Sequence, residues 1–194
     1  SFANGWSASG IFGESFQLAG RNSFASPDLV NVGAASGLET SRSDYVGLIG
    51  FTSPGGFSVS TGGRFDEKDF SVRRIETSVG LARPDFSVAA RYAFIDAQPD
   101  YGFSQDRQQI TLGASARMAE FWRVYGSTTY DTVADMMTAS AFGVAYLDDC
   151  FGYSVTLSQT RNAITGKQRN NIGFNISLRT LGDFGSNTGN FGVQ

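Results

Sequence analysis

Histidine is absent from this 194-residue chain, and cysteine occurs once, at Cys150. Those two shortages remove most transition-metal sites and the common Ser-His and Cys-His nucleophile pairs, so we assign no catalytic residue, metal site or cofactor. Lysine is nearly missing too, with only Lys68 and Lys167, and the net charge is −3. That balance offers no basic surface for a nucleic acid. Prolines number only 4. No apolar run approaches the ~20 residues of a membrane helix, and no charged-apolar-small leader opens the chain. The first residues, SFANGWSASG, already read as a strand, so the chain is expected to begin inside a larger protein.

Glycine and aromatic residues are plentiful instead: 24 Gly, 17 Phe and 7 Tyr. This mixture fits an all-β protein with many turns or a barrel. A two-residue hydrophobic period predicts ten strands, near 5–17, 44–53, 57–66, 70–82, 86–96, 106–118, 121–131, 136–147, 151–161 and 169–180. Their lengths are roughly the ~9–11 residues that a tilted membrane strand needs. Short turns sit at SPGG (53–56), RPD (83–85), AE (119–120) and DDC (148–150). Longer or more polar links sit at 18–43, 66–69, 97–105, 131–135 and 162–168. Alternating short and long connections are the habit of an outer-membrane barrel, with the short turns periplasmic. The expected fold class is therefore an all-β, antiparallel up-and-down transmembrane β-barrel fragment of about ten strands. It covers residues 1–182, and a flexible periplasmic tail follows over 183–194.

The placement of arginine agrees with that reading. Arg91 opposes Phe86, Val88, Tyr92 and Phe94; Arg64 opposes Phe57, Val59 and Phe65; Arg179 opposes Ile172, Phe174, Ile176 and Leu178. A basic residue on the lipid face costs ~2–4 kcal/mol at the bilayer midplane, so such sorting is expected there. Arg73, Arg83 and Arg161 take the other parity, but near strand ends. The polar face carries Ser154, Thr156, Ser158, Asn171, Asn175 and Ser177, small residues that suit a wet lumen. An aromatic follows each short turn: Phe57, Phe86, Phe121 with Trp122, and Phe151. Rings at one height on successive hairpins would form a girdle at a membrane interface, although each Phe alone could equally start a buried strand of a soluble core. The run Asp66-Glu67-Lys68-Asp69 reads as a cation-binding loop or, more simply, a solvated one.

Three stretches resemble the LptD family of outer-membrane lipopolysaccharide-assembly proteins. They are GESFQLAGRNSF with DLVNVGAASGLETSRSDYVG (13–24 and 28–47), YLDDCFGYSVTLSQTRN (146–162) and NNIGFNISLRTLG (170–182). The resemblance extends over the whole chain. It implies the last ten strands of a larger barrel, with a lipoprotein of the LptE type inside and an N-terminal periplasmic domain elsewhere in the protein. It further implies that lipopolysaccharide leaves sideways past the final strand, whose Asn171, Gly173, Asn175 and Ser177 would line one side of the exit. Asn171, Gly173, Ile176 and Leu178 look like the signal read by the barrel-assembly machinery. Cys150 matches the family's late cysteine-bearing turn and would form a disulfide to the N-terminal periplasmic domain, outside this chain. The better-known members have two adjacent cysteines there; this chain has one, between Asp149 and Phe151. Other readings are a smaller passive porin-like barrel and a soluble β-sandwich used for adhesion. Outer-membrane hydrolases use histidine, which this chain lacks.

Overall fold

The computed structural model describes residues 4–25, 37–99, 104–162, 165–178 and 182–185. Strands dominate: β1 (Ser7–Gly13), β2 (Tyr45–Thr52), β3 (Phe57–Phe65), β4 (Val72–Ala82), β5 (Phe86–Ile95), β6 (Arg107–Arg117), β7 (Trp122–Asp131), β8 (Met136–Leu147), β9 (Phe151–Arg161), β10 (Gln168–Leu178) and β11 (Gly182–Gly185). They form one all-β, up-and-down sheet in which sequence neighbours are spatial neighbours from β1 to β11. The ten expected strands are all present, each within a few residues of its predicted bounds. A short eleventh strand, Gly182–Gly185, pairs antiparallel with Asn175–Leu178 of β10. Glycine-rich sequence carries no alternating pattern, and here the backbone of the preceding strand supplies the template. Arg179 lies outside the described residues.

Short turns close the hairpins with local hydrogen bonds. Ser53 N–H donates to the Phe57 carbonyl at 2.8 Å, Ser53 Oγ accepts from Phe57 N–H at 3.1 Å, and Gly56 supplies a φ of +77°. In the turn after β8, Asp148 Oδ1 accepts from the N–H groups of Cys150 (2.9 Å) and Phe151 (2.7 Å). This aspartate turn explains the first acid of DDC: its carboxylate holds the bend that presents Cys150. After β7, Asp131 Oδ1 plays the same part, accepting from Val133 and Ala134 N–H groups at 3.0 and 2.9 Å.

The strands fall into two compact units, residues 1–79 with 91–109, and residues 80–90 with 110–194. Within the second unit the register stacks like on like. One row runs Val124–Val144–Val155–Phe174 and another Gly126–Phe142–Leu157–Ile172, both on the apolar face. The opposite face carries Arg123–Ala145–Ser154–Asn175 and Tyr125–Gly143–Thr156–Gly173. Paired residues of an antiparallel ladder share a face, so correct register is what assembles these rows. The same holds in the first unit, where Phe51 pairs with Val59 and Gly50 with Ser60, while Val46, paired with Arg64, is an exception.

Burial is inverted relative to a water-soluble sandwich. Among the described residues the one buried hydrophobic is Ala145, at 3 % exposure, and no large side chain is fully buried. Val155, Leu157, Ile172 and Phe174 stand exposed, while Ser154, Thr156 and Ser158 are half-buried. All described strands belong to a single sheet, so among the described residues the apolar face has no second sheet to pack on.

Small residues on the polar face make room for a few large ones. The Tyr125 ring lies over Gly143, where a Cβ would sit 2.3 Å from the ring, and its hydroxyl is 2.6 Å from Thr156 Oγ1. Gly113, by contrast, has nothing nearer than 3.9 Å to a Cβ. We predict that Gly143→Val destabilises the protein by about 1–3 kcal/mol through overpacking, whereas Gly113→Val is neutral or stabilising. Urea unfolding of the detergent-solubilised protein checks the difference.

Candidate functional site

β10 carries more of the candidate positions than any other strand. It pairs with β9 along its whole length, from Gln168↔Arg161 to Leu178↔Phe151. Asn171, Gly173, Asn175 and Ser177 share the polar face, opposite Ser158, Thr156, Ser154 and Gly152. Ile172 (73 % exposed), Phe174 and Ile176 occupy the apolar face. Within the assembly pattern, Asn171 and Gly173 therefore face one way, and Ile176 and Leu178 the other. Side-chain bonds between β9 and β10 sit at one end: Gln159 Nε2 donates to Asn170 Oδ1 at 3.2 Å and Arg161 to Gln168 Oε1 at 3.2 Å. On the other edge of β10, β11 takes Asn175 to Leu178, and among the described residues no strand takes Gln168 to Gly173.

The aromatic positions after the short turns share one environment. Phe57, Phe86, Phe121 and Trp122 all lie at 39–41 % exposure, and Phe151 is half-buried. Phe121, Trp122 and Phe151 join a five-ring cluster with Tyr146 and Tyr153. Trp122 meets Tyr146 edge-on at 5.3 Å, Tyr146 stacks on Tyr153 at 5.5 Å, and Phe151 lies 5.7 Å from Tyr153. The two tyrosines were not singled out from sequence. Their signal was parity: Trp122, Tyr146 and Tyr153 are cross-strand partners on one face. At the other strand end, Phe12, Tyr45 and Phe70 form a ring ladder at 5.9 and 4.6 Å.

Cys150 is exposed, a free thiol with no partner among the described residues. Its turn adjoins the ring cluster through Phe151.

The loop after β3 is tied rather than open. Arg73 donates to Asp66 Oδ2 at 2.7 Å and to Asp96 Oδ2 at 2.9 Å, bridging two loops. Asp66 Oδ1 also accepts from Lys68 N–H at 2.8 Å. Phe70 adopts a left-handed φ of 60°, held by its N–H bond to the Asp66 carbonyl at 3.2 Å. Asp66 and Asp69 are thus engaged by arginine and backbone and Glu67 by the Thr40 hydroxyl at 3.0 Å, and no group able to hold a metal occurs among the described residues. The off-parity placement of Arg73 was the sequence signal for this clasp.

Comparison with known proteins adds a family to this geometry. The family model LptD, LPS transport system D, matches residues 1–122, which carry β1 to β6 and the start of β7. Cys150 and β10 lie beyond that match, which is narrower than the whole-chain resemblance expected. The chain is 31 % identical over 114 residues to the LPS-assembly protein LptD of Yersinia enterocolitica, covering 56 % of the chain and 14 % of that protein. The protein of the same name from Yersinia pestis is 32 % identical over 116 residues, and that of Shigella flexneri 27 % over 114, with the same coverage. The chain matches only this small part of each relative's length.

The clasp gives a pH prediction. Hydrogen bonding from Arg73, then from Lys68 N–H, holds the Asp66 carboxyl below the usual carboxylate range. Its unfolded value is about 3.9, so the stabilisation is fully present above about pH 4 and is lost as pH falls through the lower folded value. Hydrogen exchange should show protection of the Lys68 and Asp69 amides unchanged from pH 7 to about 5 and falling only in stronger acid. In Asp66→Asn the protection should be reduced at every pH.

Proposed function

The chain belongs to the LptD family, and on that premise we propose that it forms the C-terminal segment of an outer-membrane β-barrel that inserts lipopolysaccharide into the outer leaflet, with β10 as one side of a lateral exit. The observation that carries this is the edge of β10. A strand inside a closed barrel is paired on both sides, because an open backbone edge in lipid leaves polar groups unsatisfied. Here Gln168 to Gly173 is paired only with β9 among the described residues. A short cap, β11, covers the rest. The inward residues Asn171, Gly173, Asn175 and Ser177 are small, and among the described residues the first, third and fourth make no side-chain hydrogen bond to β9. Such a strand is free to part from a neighbour at its outer edge with little side-chain packing to undo.

The remaining assignments follow from the same reading. The exposed apolar face meets lipid, and the cluster of Phe121, Trp122, Tyr146, Phe151 and Tyr153 lies at the periplasmic interface, as Phe57 and Phe86 would as further girdle residues. Amphipathic rings favour that depth. No helix among the described residues is long and apolar enough to cross a membrane. The polar face lines the lumen that an LptE-type lipoprotein would occupy. Asn171, Gly173, Ile176 and Leu178 serve as the assembly signal for the barrel-assembly machinery. The exposed thiol of Cys150 pairs with a cysteine of the N-terminal periplasmic domain, in an oxidising compartment.

Two experiments test this. In cells carrying the intact protein, a cysteine at Asn171 is combined with one in the barrel's first strand, and surface-exposed lipopolysaccharide is measured before and after oxidation. Locking the exit should stop new lipopolysaccharide reaching the surface, and reduction should restore it. Unchanged export through a fully oxidised pair would refute the exit at β10. For Cys150, non-reducing electrophoresis should show a mobility shift that Cys150→Ser abolishes. A thiol that stays open to alkylation in the assembled protein would rule the link out.

A further inference from the structure

The outer edge of β10 is covered over one part of its length. From Asn175 to Leu178 it carries β11, and from Gln168 to Gly173 no strand covers it among the described residues. β11 runs antiparallel to β10, with Gly182 opposite Leu178, Asp183 opposite Ser177, Phe184 opposite Ile176 and Gly185 opposite Asn175. The covered stretch is also the shielded one. On the apolar parity, exposure falls from 73 % at Ile172 to 59 % at Phe174 and 37 % at Ile176.

In a barrel with an even number of antiparallel strands, the first strand lies antiparallel to the last, on this same edge. β11 thus takes the place and the direction of a first strand over Asn175–Leu178. Two strands cannot pair there at once, because each backbone N–H and C=O on that edge points one way. The sequence Gly182-Asp183-Phe184-Gly185 makes β11 the easier of the two neighbours of β10 to exchange. It is short, and Gly and Asp are poor strand formers, whereas β9 holds β10 through eleven matched residues.

We propose that β11 is an exchangeable strap. It seals the Asn175–Leu178 half of the edge while the exit is open, and yields that half to the barrel's first strand when the exit is shut. The inference goes beyond the functional reading above and rests on it, since it takes β10 as one side of the exit. Leu178 pairs with Phe151, beside the Cys150 turn, so the strapped half is the periplasmic half of that reading. Parting a seam in lipid leaves backbone polar groups unsatisfied, and the strap satisfies those of this half. Opening is then confined to Gln168–Gly173. At ~3.3 Å per residue and a tilt of ~40° that stretch rises roughly 15 Å, about one leaflet of a hydrocarbon core ~30 Å thick. Lipopolysaccharide therefore meets lipid at the level of the outer leaflet alone.

The test uses the intact protein in cells, carrying Ser177→Cys, Asp183→Cys and a third cysteine in the first strand at the level of Ser177. Facing residues of antiparallel strands are close enough for a disulfide. Oxidation and peptide mass mapping should find two mutually exclusive products, one joining positions 177 and 183 and one joining 177 to the first strand. Halting the supply of lipopolysaccharide should shift the ratio severalfold toward the first-strand product, and restoring it should shift the ratio back. A second variant, Asp183→Pro/Phe184→Pro, keeps the strap from pairing. Successive residues of a strand point their N–H groups to opposite sides, so one of the two prolines removes a donor aimed at β10. Entry of a hydrophobic dye into cells holding this variant in folded form should rise severalfold. Absence of the 177–183 product, a ratio indifferent to lipopolysaccharide supply, or unchanged dye entry would each overturn the strap. Failure of the parent reading looks different: a link from position 171 to the first strand would then leave export unchanged, whatever the yield of the 177–183 product.

Discussion

The structure depends on its backbone ladder. In most domains of this size an apolar core holds the elements together, but here the described hydrophobic residues include a single buried one, Ala145. What joins each strand to the next is antiparallel pairing, as in the eleven matched residues of β9 and β10. In water a single sheet with an exposed apolar face would be an aggregation hazard. In a bilayer the same arrangement is favourable, because the ladder satisfies the backbone polar groups and lipid covers the apolar side.

From that constraint the division of labour between faces follows. Register that is correct on one face is correct on the other, so Val124–Val144–Val155–Phe174 and Tyr125–Gly143–Thr156–Gly173 are two readings of one alignment. The polar face is made of small residues, which leaves space in front of it. Tyr125 over Gly143, the arginines of β3 to β5 and the Ile11–Leu48 pair occupy that space. Loops are tied by charge, with Arg73 between Asp66 and Asp96, and Arg42 between Glu14 and the Phe16 ring. The strand ends are marked by rings. Each device sits where the ladder alone would leave something unheld.

Much of this was legible in the sequence because β-structure with one wet face writes its period plainly. Phe151-Gly-Tyr-Ser-Val-Thr-Leu-Ser alternates, and the turn residues SPGG, RPD and DDC mark its limits, so strand bounds and the sorting of Arg64 and Arg91 could be read directly. The rest depended on pairing between distant residues. β11 has no pattern of its own and exists by templating on β10. Tyr146 and Tyr153 became ring partners of Trp122 only once register was known. In YVGLIGFT both parities are apolar, so period alone could not say that Val46 and Leu48 take the polar face; pairing with Arg64 and Gly62 decides it.

The central claim is that one face of this sheet meets lipid and the other water. Spin labels placed one at a time along β9, from Gly152 to Thr160, in the intact protein reconstituted into bilayers, test it most directly. Accessibility to oxygen, which partitions into lipid, should peak at Tyr153, Val155 and Leu157. Accessibility to a water-soluble nickel chelate should peak at Ser154, Thr156 and Ser158, giving two out-of-phase oscillations of period two. Oscillations in phase with each other, or uniform access of the nickel chelate to both sets, would contradict a membrane-spanning sheet.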